Sequence, residues 1–244
     1  MNRSLLPLIA LALPCLAASS PDASPLSART VKIAPKNAVK LQYWLHAPEG
    51  EGPHPLILFL HGKGERGSDL NSVKKHGPPK LIENDSMPSL RPFVVVSPQC
   101  PDDRMWQYPD LKALLDEVLA EQDIDRSRVY ITGLSMGGFG TWKLLAEEPR
   151  FFAAAIPICG GGDPDWARRL KHTPIWAFHG DEDSVVPVDR SKEMVDGIRR
   201  AGGKKVKLTI YPEVKHDSWT ATYNNPEIYA WLLSHSLGGR KGKD

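Results

Sequence analysis

The chain has 244 residues, of which 41% are hydrophobic and 25% charged. This length suits one α/β domain, and this composition excludes disordered and fibrous proteins because it supplies enough apolar side chains for a large core. The 31 Lys and Arg residues nearly balance the 29 Asp and Glu residues, for a net charge of +2. Nucleic acids and anionic membranes require a clustered basic excess, so the expected partner is a small molecule. Nothing in the sequence indicates an oligomeric state.

The N-terminus has the pattern of a secretory signal peptide. Arg3 precedes an apolar run over residues 5–18, and small residues offer a cleavage point at Ala17, Ala18 and Ser19. The run is shorter than the ~20 residues that span a bilayer, and no other stretch is suited to crossing one. We therefore predict a signal peptide over residues 1–19 and a secreted or periplasmic location.

Two cysteines follow this segment, Cys100 and Cys159. In an oxidising compartment they could pair, but two thiols do not form a disulfide framework. A role in packing is the favoured interpretation, and pairing stays open.

Short β-rich runs alternate with helical patterns along the rest of the chain. Strands are predicted at 41–45, 55–60, 93–96, 129–132, 153–156, 174–178 and 206–211. Most of these runs are apolar on both faces, as strands covered by helices on both sides must be. Helices are predicted behind Pro109, over 139–147, from Asp189 to Gly202, and behind Asn225. The alternation predicts an α/β fold with a mostly parallel sheet and helices on both faces.

The same patterns predict the domain organisation. Residues 20–40 form a leader with a first strand, residues 41–237 one domain, and residues 238–244 a disordered tail. The connection from Gly160 to His172 is short, so no large lid is expected.

The segment from Gly133 to Gly137 reads Gly-Leu-Ser-Met-Gly and lies between a predicted strand and a predicted helix. A serine on so sharp a turn has a strained backbone and an exposed hydroxyl, and the flanking glycines let neighbouring chains approach. The pattern also occurs by chance as a plain tight turn. The strand before it and the helix after it favour Ser135 as a nucleophile.

A serine nucleophile requires a base and an acid that orients the base. Asp183 and His216 each follow a predicted strand, and open parallel sheets place their sites at the carboxyl ends of strands. The order Ser135, Asp183, His216 is the order of nucleophile, acid and base in α/β-hydrolases. Asp181 and Asp217 are rival acids, but Asp183 lies farther out on its loop and is preferred.

The loop after the first long strand carries glycines at 62, 64 and 67 and is expected to supply a donor for an oxyanion hole. The N–H groups of Lys63 and Met136 are the candidates. Three further residues follow strand ends and are candidates for substrate contact, although loop packing explains them equally well: Trp106, Trp166 and Trp219. No cluster of His, Cys or carboxylate residues has metal-binding spacing.

Taken together, several motifs resemble the secreted bacterial esterases of the phospholipase/carboxylesterase and dienelactone-hydrolase-like branch of the α/β-hydrolase superfamily. The resemblance covers roughly residues 40 to 235 and implies Ser135, Asp183 and His216 as a catalytic triad, with Lys63 and Met136 as oxyanion donors. Some proteins of this type are labelled predicted peptidases of the prolyl-oligopeptidase type. The motifs are His61–Gly67, His76–Pro79, Ser97–Pro101, Gly133–Gly137, Ile158–Gly162, His179–Asp183 and His216–Trp219.

The sequence therefore predicts an exported serine carboxylesterase without a cofactor, acting on short-chain, carbohydrate or phenolic esters. A serine peptidase with the same triad is the alternative enzyme. A binding protein for carbohydrates or surfaces that keeps the fold without catalysis is the alternative outside enzymes.

Overall fold

The computed structural model describes residues 25–33 and 39–238. The predicted signal peptide at 1–19 lies outside these residues, as does most of the predicted tail. Within the described ranges, no helix is both long and apolar enough to cross a membrane.

In this part of the chain, eight strands form one sheet with the spatial order β1-β2-β4-β3-β5-β6-β7-β8. Strands β1 and β2 pair antiparallel, β2 pairs antiparallel with β4, and all other neighbours are parallel. The predicted α/β architecture with a mostly parallel sheet is confirmed. The strands are β1 (Ser27–Ile33), β2 (Val39–His46), β3 (His54–Leu60), β4 (Val94–Pro98), β5 (Ile124–Leu134), β6 (Ala154–Ile158), β7 (Ile175–Gly180) and β8 (Val206–Tyr211).

Helices cover both faces of this sheet. In the described residues they are α1 (Gly77–Glu83), α2 (Tyr108–Glu121), α3 (Met136–Glu147), α4 (Ala167–Leu170), α5 (Asp189–Arg200), α6 (Trp219–Tyr223) and α7 (Glu227–Leu233). Short 3-10 turns lie at Lys63–Glu65, Leu70–Lys75, Pro88–Leu90 and Pro164–Trp166. No large lid interrupts the connection from β6 to β7, which holds only a 3-10 turn and α4.

The two faces of β3 show why the strands are apolar throughout. Leu56, Leu58 and Leu60 belong to one core cluster, which includes the buried faces of α2, α3 and α5. Ile57 and Phe59 belong to the other cluster, which includes residues of α1, α6 and α7. Successive strand residues point to opposite faces, so a sheet covered on both sides requires apolar residues at every position.

Several elements differ from the sequence prediction. Helix α3 begins at Met136 and not at Phe139, because the glycines of its first turn have low helix propensity and obscure its start. Helix α1 was not predicted because its Gly-Pro-Pro opening resembles a loop, although proline is tolerated in a first helical turn.

Helix α3 passes unusually close to the end of β3. An added Cβ at Gly137 would lie 1.9 Å from the carbonyl oxygen of Leu60, and one at Gly133 would lie 2.4 Å from the carbonyl oxygen of Gly137. Backbone atoms cannot move aside as flexible side chains can. Glycine is therefore required at both positions for this packing.

Replacing Gly137 with alanine tests this requirement. Because the new methyl group would overlap the Leu60 carbonyl, we expect Gly137→Ala to lower the free energy of unfolding by ~3 kcal/mol or more. Urea denaturation followed by circular dichroism measures the change. Gly64→Ala is the control, since an added Cβ there has no neighbour within 4 Å. Equal stability of the two variants would contradict the close approach.

Candidate active site

Ser135 lies on the turn between β5 and α3, at the edge of the sheet where the parallel strands end. Its backbone has φ 51° and ψ −115°, which is outside the regions that non-glycine residues normally adopt. Such a conformation costs about 1–3 kcal/mol and persists only where the surrounding structure enforces it. Here the packing of Gly137 against β3 enforces it, and the Ser135 side chain remains partly exposed.

The three side chains singled out from the sequence lie in hydrogen-bonding series. Nε2 of His216 is 2.9 Å from Oγ of Ser135, and Nδ1 of His216 is 2.7 Å from Oδ2 of Asp183. In the chain, His216 lies 81 positions after Ser135 and 33 positions after Asp183. A proton on Nδ1, donated to the carboxylate, leaves Nε2 free to accept the proton of the Ser135 hydroxyl.

Backbone contacts between two loops hold His216 next to Asp183. The N–H of Glu182 donates to the carbonyl of Val214 at 3.1 Å. An added Cβ at Gly180 would lie 2.1 Å from the same carbonyl oxygen. The loop after β8 is therefore packed directly on the end of β7.

The Asp183 carboxylate is buried and well supplied with donors. Its Oδ1 accepts hydrogen bonds from the N–H groups of Val185 and Val186, both at 2.9 Å. Burial by itself would raise the pKa of this carboxyl, but the hydrogen bonds from His216, Val186 and Val185 outweigh it and lower the pKa. Asp183 is therefore an anion at neutral pH.

Neither rival carboxylate contacts His216 in this way. Asp217 accepts hydrogen bonds from the N–H and the hydroxyl of Thr220 at 3.0 and 2.9 Å, and so is bonded to the first turn of α6. Asp181 is exposed, and its N–H donates to the carbonyl of Tyr211. Of the three carboxylates, Asp183 is the one that lies within hydrogen-bonding distance of the His216 ring, and its role as the acid stays a prediction.

A buried histidine that was given no role from the sequence supports the Asp183 loop. Nε2 of His179 lies 2.8 Å from the carbonyl oxygen of Val186 and 3.3 Å from Oδ2 of Asp183, both of which only accept hydrogen bonds. Nδ1 lies 2.7 Å from Oγ of Ser191. Desolvation lowers the pKa of His179, so the ring is neutral with its proton on Nε2. Its place at the end of a buried strand, four residues before Asp183, is the signal that could have identified it.

The two expected oxyanion donors each begin a helical segment. Lys63 opens the 3-10 turn Lys63–Glu65, and Met136 opens α3. The first N–H groups of a helix have no acceptor within it, so they are available to a ligand. The packing of Gly137 against the carbonyls of Leu60 and His61 brings the two segments together.

His61 sets the direction of the peptide that carries the Lys63 N–H. The N–H of Cys100 donates to Nε2 of His61 at 2.9 Å, so the ring proton is on Nδ1, which donates to the carbonyl of Gly62 at 2.6 Å. The C=O and N–H of a trans peptide point in opposite directions, so the Lys63 N–H points away from the His61 ring. Desolvation lowers the pKa of His61 to about 4, and the ring stays neutral.

The three candidate tryptophans lie on two sides of Ser135. Trp106 and Trp166 line one cavity of about 470 Å³ together with Met136. Trp219 lies on the other side, with its ring 5.2 Å from that of His216 in a T-shaped contact. It also contacts the His76 ring at 5.5 Å. Substrate contact by these residues stays a prediction.

Cys159 lies against the site but is a poor metal ligand. Its Sγ is 3.3 Å from the N–H of Ser135, and its ligand atom lies within 4.8 Å of those of Asp183 and His216. Burial raises the pKa of the Cys159 thiol to about 12, so the thiol is protonated. The other two groups are already bonded to each other, and this donor set does not fit a metal ion. Cys100 and Cys159 are both free and buried, so the packing interpretation is confirmed over pairing.

A strand-to-helix turn bearing a serine, followed along the chain by an acid and a histidine at strand ends, defines the α/β-hydrolase fold class. The family model "Dienelactone hydrolase family" matches residues 102–229. The chain belongs to this family.

Individual proteins agree with this assignment. A solved structure titled "Crystal Structure of a Thermostable Esterase" is 38% identical with a TM-score of 0.79, covering 87% of this chain and 63% of that one. "Putative esterase NocK" of Nocardia uniformis subsp. tsuyamanensis is 31% identical over 67% of this chain and 50% of its own length. "Putative carboxymethylenebutenolidase" of Methylorubrum extorquens is 30% identical over 80% of this chain and 73% of its own length. This chain thus spans half the length of NocK.

The low pKa of His61 predicts how stability depends on pH. The unfolded histidine binds a proton near pH 6.5 and the folded one only near pH 4, so the unfolded state binds more protons between these values. We expect the contribution of His61 to lower the free energy of unfolding by about 3 kcal/mol as the pH is lowered from 6.5 to 4. The lowered pKa of His179 acts in the same direction.

Urea denaturation at several pH values measures this dependence. In His61→Gln the slope between pH 6.5 and 4 should be shallower than in the parent protein, whatever the absolute stability. His172→Gln, a change at an exposed histidine, is the control and should keep the parent slope. A His61→Gln slope equal to that of the parent would rule out the buried neutral imidazole.

Proposed function

We propose that this protein is a serine carboxylesterase that hydrolyses its substrate through an acyl-enzyme. The observation that carries the proposal is the hydrogen-bonded series from Ser135 through His216 to Asp183, at 2.9 and 2.7 Å. A serine hydroxyl is a weak nucleophile unless a base accepts its proton. A strained serine in contact with a histidine that is itself held by a buried carboxylate meets this requirement.

The reaction has two halves. In the first, Oγ of Ser135 bonds to the ester carbonyl carbon while Nε2 of His216 takes the hydroxyl proton, and the same proton passes to the alcohol as its C–O bond breaks. In the second, water attacks the acyl-enzyme, His216 takes a proton from that water, and the proton returns to Oγ as the acid leaves. Asp183 stays ionised and stabilises the imidazolium that forms in each half.

The negative oxygen of each tetrahedral intermediate is held by the N–H groups of Lys63 and Met136. Both groups lie at the start of a helical segment, where no internal acceptor competes for them. Such a donor contributes about 3 kcal/mol to catalysis in other enzymes. Because His61 and Gly62 hold the Lys63 peptide by a buried hydrogen bond, the donor needs no reorganisation when the oxyanion forms.

Family membership and the printed names of the similar proteins support ester hydrolysis over the other classes. Both the solved structure at 38% identity and NocK are named as esterases. We propose short-chain, carbohydrate or phenolic esters as substrates, because the connection from β6 to β7 carries no large lid. The signal-like pattern at residues 1–19 leads us to propose that the enzyme acts outside the cytoplasm.

The direct test of this function compares an ester with an amide. We expect the purified protein to hydrolyse p-nitrophenyl acetate, and Ser135→Ala to lose several orders of magnitude in kcat/KM. A fluorophosphonate probe should label the parent protein and not Ser135→Ala. Cleavage of aminoacyl p-nitroanilides without ester hydrolysis would indicate a peptidase, and absence of labelling would indicate a binding protein.

The role of the acid is tested by two matched substitutions. Asp183→Asn leaves a side chain of the same shape but removes the charge that stabilises the imidazolium, so we expect kcat to fall by ~10⁴-fold. Asp217→Asn changes the neighbouring carboxylate, which is bonded to Thr220, and should alter kcat by less than about twofold, since the amide oxygen of asparagine can accept the same hydrogen bond. Similar losses in both variants would contradict the assignment of Asp183.

A further inference from the structure

A cavity of about 470 Å³ lies along one face of α3 and begins at Met136, the residue after the proposed nucleophile; Ser135 itself does not line it. Its lining includes Met136, Phe139, Gly140 and Lys143, which are spaced as neighbours on a single helical face. Met136 directly follows Ser135, and the seven residues to Lys143 extend the face by about 10 Å. A group bound in this cavity would therefore reach from the reacting carbonyl to the middle of α3.

The position of His216 decides which half of an ester the cavity receives. In the proposed mechanism the alcohol oxygen takes its proton from Nε2 of His216, so the alcohol departs on that side. Neither His216 nor Trp219 lines the cavity. Its lining residues belong to α3, α5 and the loops after β4 and β6. The acyl group, which stays on Ser135, is the half that occupies it.

Three aromatic residues, Trp106, Phe139 and Trp166, contribute to the cavity wall. Trp106 is 4% exposed, and its Nε1–H donates to the carbonyl of His61 at 3.1 Å, which fixes the ring. An added Cβ at Gly140 would lie 3.0 Å from this ring, so the indole packs directly on the α3 backbone. The Trp166 ring packs on the loop after β6, where an added Cβ at Gly162 would lie 3.1 Å from it. Rigid indole faces stack on planar rings better than on flexible chains.

Three charged residues line the cavity: Lys143 at the end of the helical face, Arg190 from α5, and Asp163. Arg190 pairs with Glu193 at 3.3 Å, and Lys143 places a positive charge at the far end of the helical face. An alkyl chain long enough to fill the cavity would end beside these charges without gaining from them. An aromatic ring in the same place interacts favourably with cations through its π face.

We propose that this cavity, which we call the aryl groove, binds the acyl part of esters of arylalkanoic acids, with a planar aromatic ring a few bonds from the carbonyl. The inference rests on the proposed function and narrows its substrate class. The groove has the volume of ordinary ligand pockets. A phenylpropanoyl group has a length comparable to the helical face that lines it.

The test uses four p-nitrophenyl esters with the same leaving group: acetate, octanoate, 3-phenylpropanoate and 3-cyclohexylpropanoate. The last three have the same saturated carbons next to the carbonyl, so their intrinsic reactivity is similar. We expect kcat/KM for 3-phenylpropanoate to exceed that for the other three, by about tenfold over acetate, as the burial of one aromatic ring predicts. Octanoate or 3-cyclohexylpropanoate as the best substrate would overturn the aryl groove.

Substitution of a groove wall links this preference to the structure. Trp166→Ala should lower the ratio of kcat/KM for 3-phenylpropanoate to that for acetate by about tenfold. Trp231→Ala is the matched control, because Trp231 lies on α7 against Trp176 and away from the cavity, and it should keep the parent ratio. If Trp166→Ala does not fold, Phe139→Leu removes another aromatic surface of the lining and should lower the same ratio. An unchanged ratio in a folded groove variant would overturn the proposal.

A binding measurement separates failure of this inference from failure of the proposed function. In Ser135→Ala, free 3-phenylpropanoate should quench tryptophan fluorescence and bind at least tenfold more tightly than octanoate. If Ser135→Ala shows this binding preference but the parent protein hydrolyses no ester, the aryl groove is supported and the proposed esterase function is rejected. If the parent protein hydrolyses esters but Ser135→Ala shows no such binding preference, the esterase function is supported and the aryl groove is rejected.

Discussion

The close approach of α3 to the end of β3 is the constraint on which the site depends. Gly137 packs on the carbonyls of Leu60 and His61 with no room for a side chain. That contact enforces the positive φ of Ser135 and so directs its hydroxyl out of the turn. The same contact brings the loop that begins at Lys63 next to the first residue of α3. One backbone contact thus positions both the proposed nucleophile and the N–H groups proposed to stabilise the charge that its attack would generate.

Two buried, neutral histidines hold the loops around this contact. His61 joins the Cys100 N–H to the Gly62 carbonyl, and His179 joins the Asp183 loop to Ser191 on α5. In both rings burial lowers the pKa, so the neutral form with one donor and one acceptor persists. A neutral imidazole has one nitrogen that donates and one that accepts, so it can hydrogen-bond to a group on each of two adjacent loops. An aliphatic side chain cannot form these bonds. These residues support the site through fixed hydrogen bonds and not through charge.

The two sides of Ser135 differ in ways that suit the two halves of an ester. On the side of His216 lie Trp219 and His76, whose rings contact one another in series. On the side of Met136 lies the cavity lined by Trp106 and Trp166. The division follows from the chain, because the segments after β8 and β3 supply Trp219 and His76, and the loops after β4 and β6 supply Trp106 and Trp166.

The sequence by itself determined the α/β class, the strand and helix pattern and the order of Ser135, Asp183 and His216, because these depend on local periodicity and on turn chemistry. It also indicated the loops that carry Lys63 and Met136. Only the tertiary structure decided that Asp183 and not Asp181 or Asp217 reaches His216, since three carboxylates on neighbouring loops differ only in direction. It alone separated Trp219 from Trp106 and Trp166, and it alone showed what His61 and His179 contact. Such distinctions depend on which residues distant in the chain become neighbours, and sequence periodicity carries no information on that.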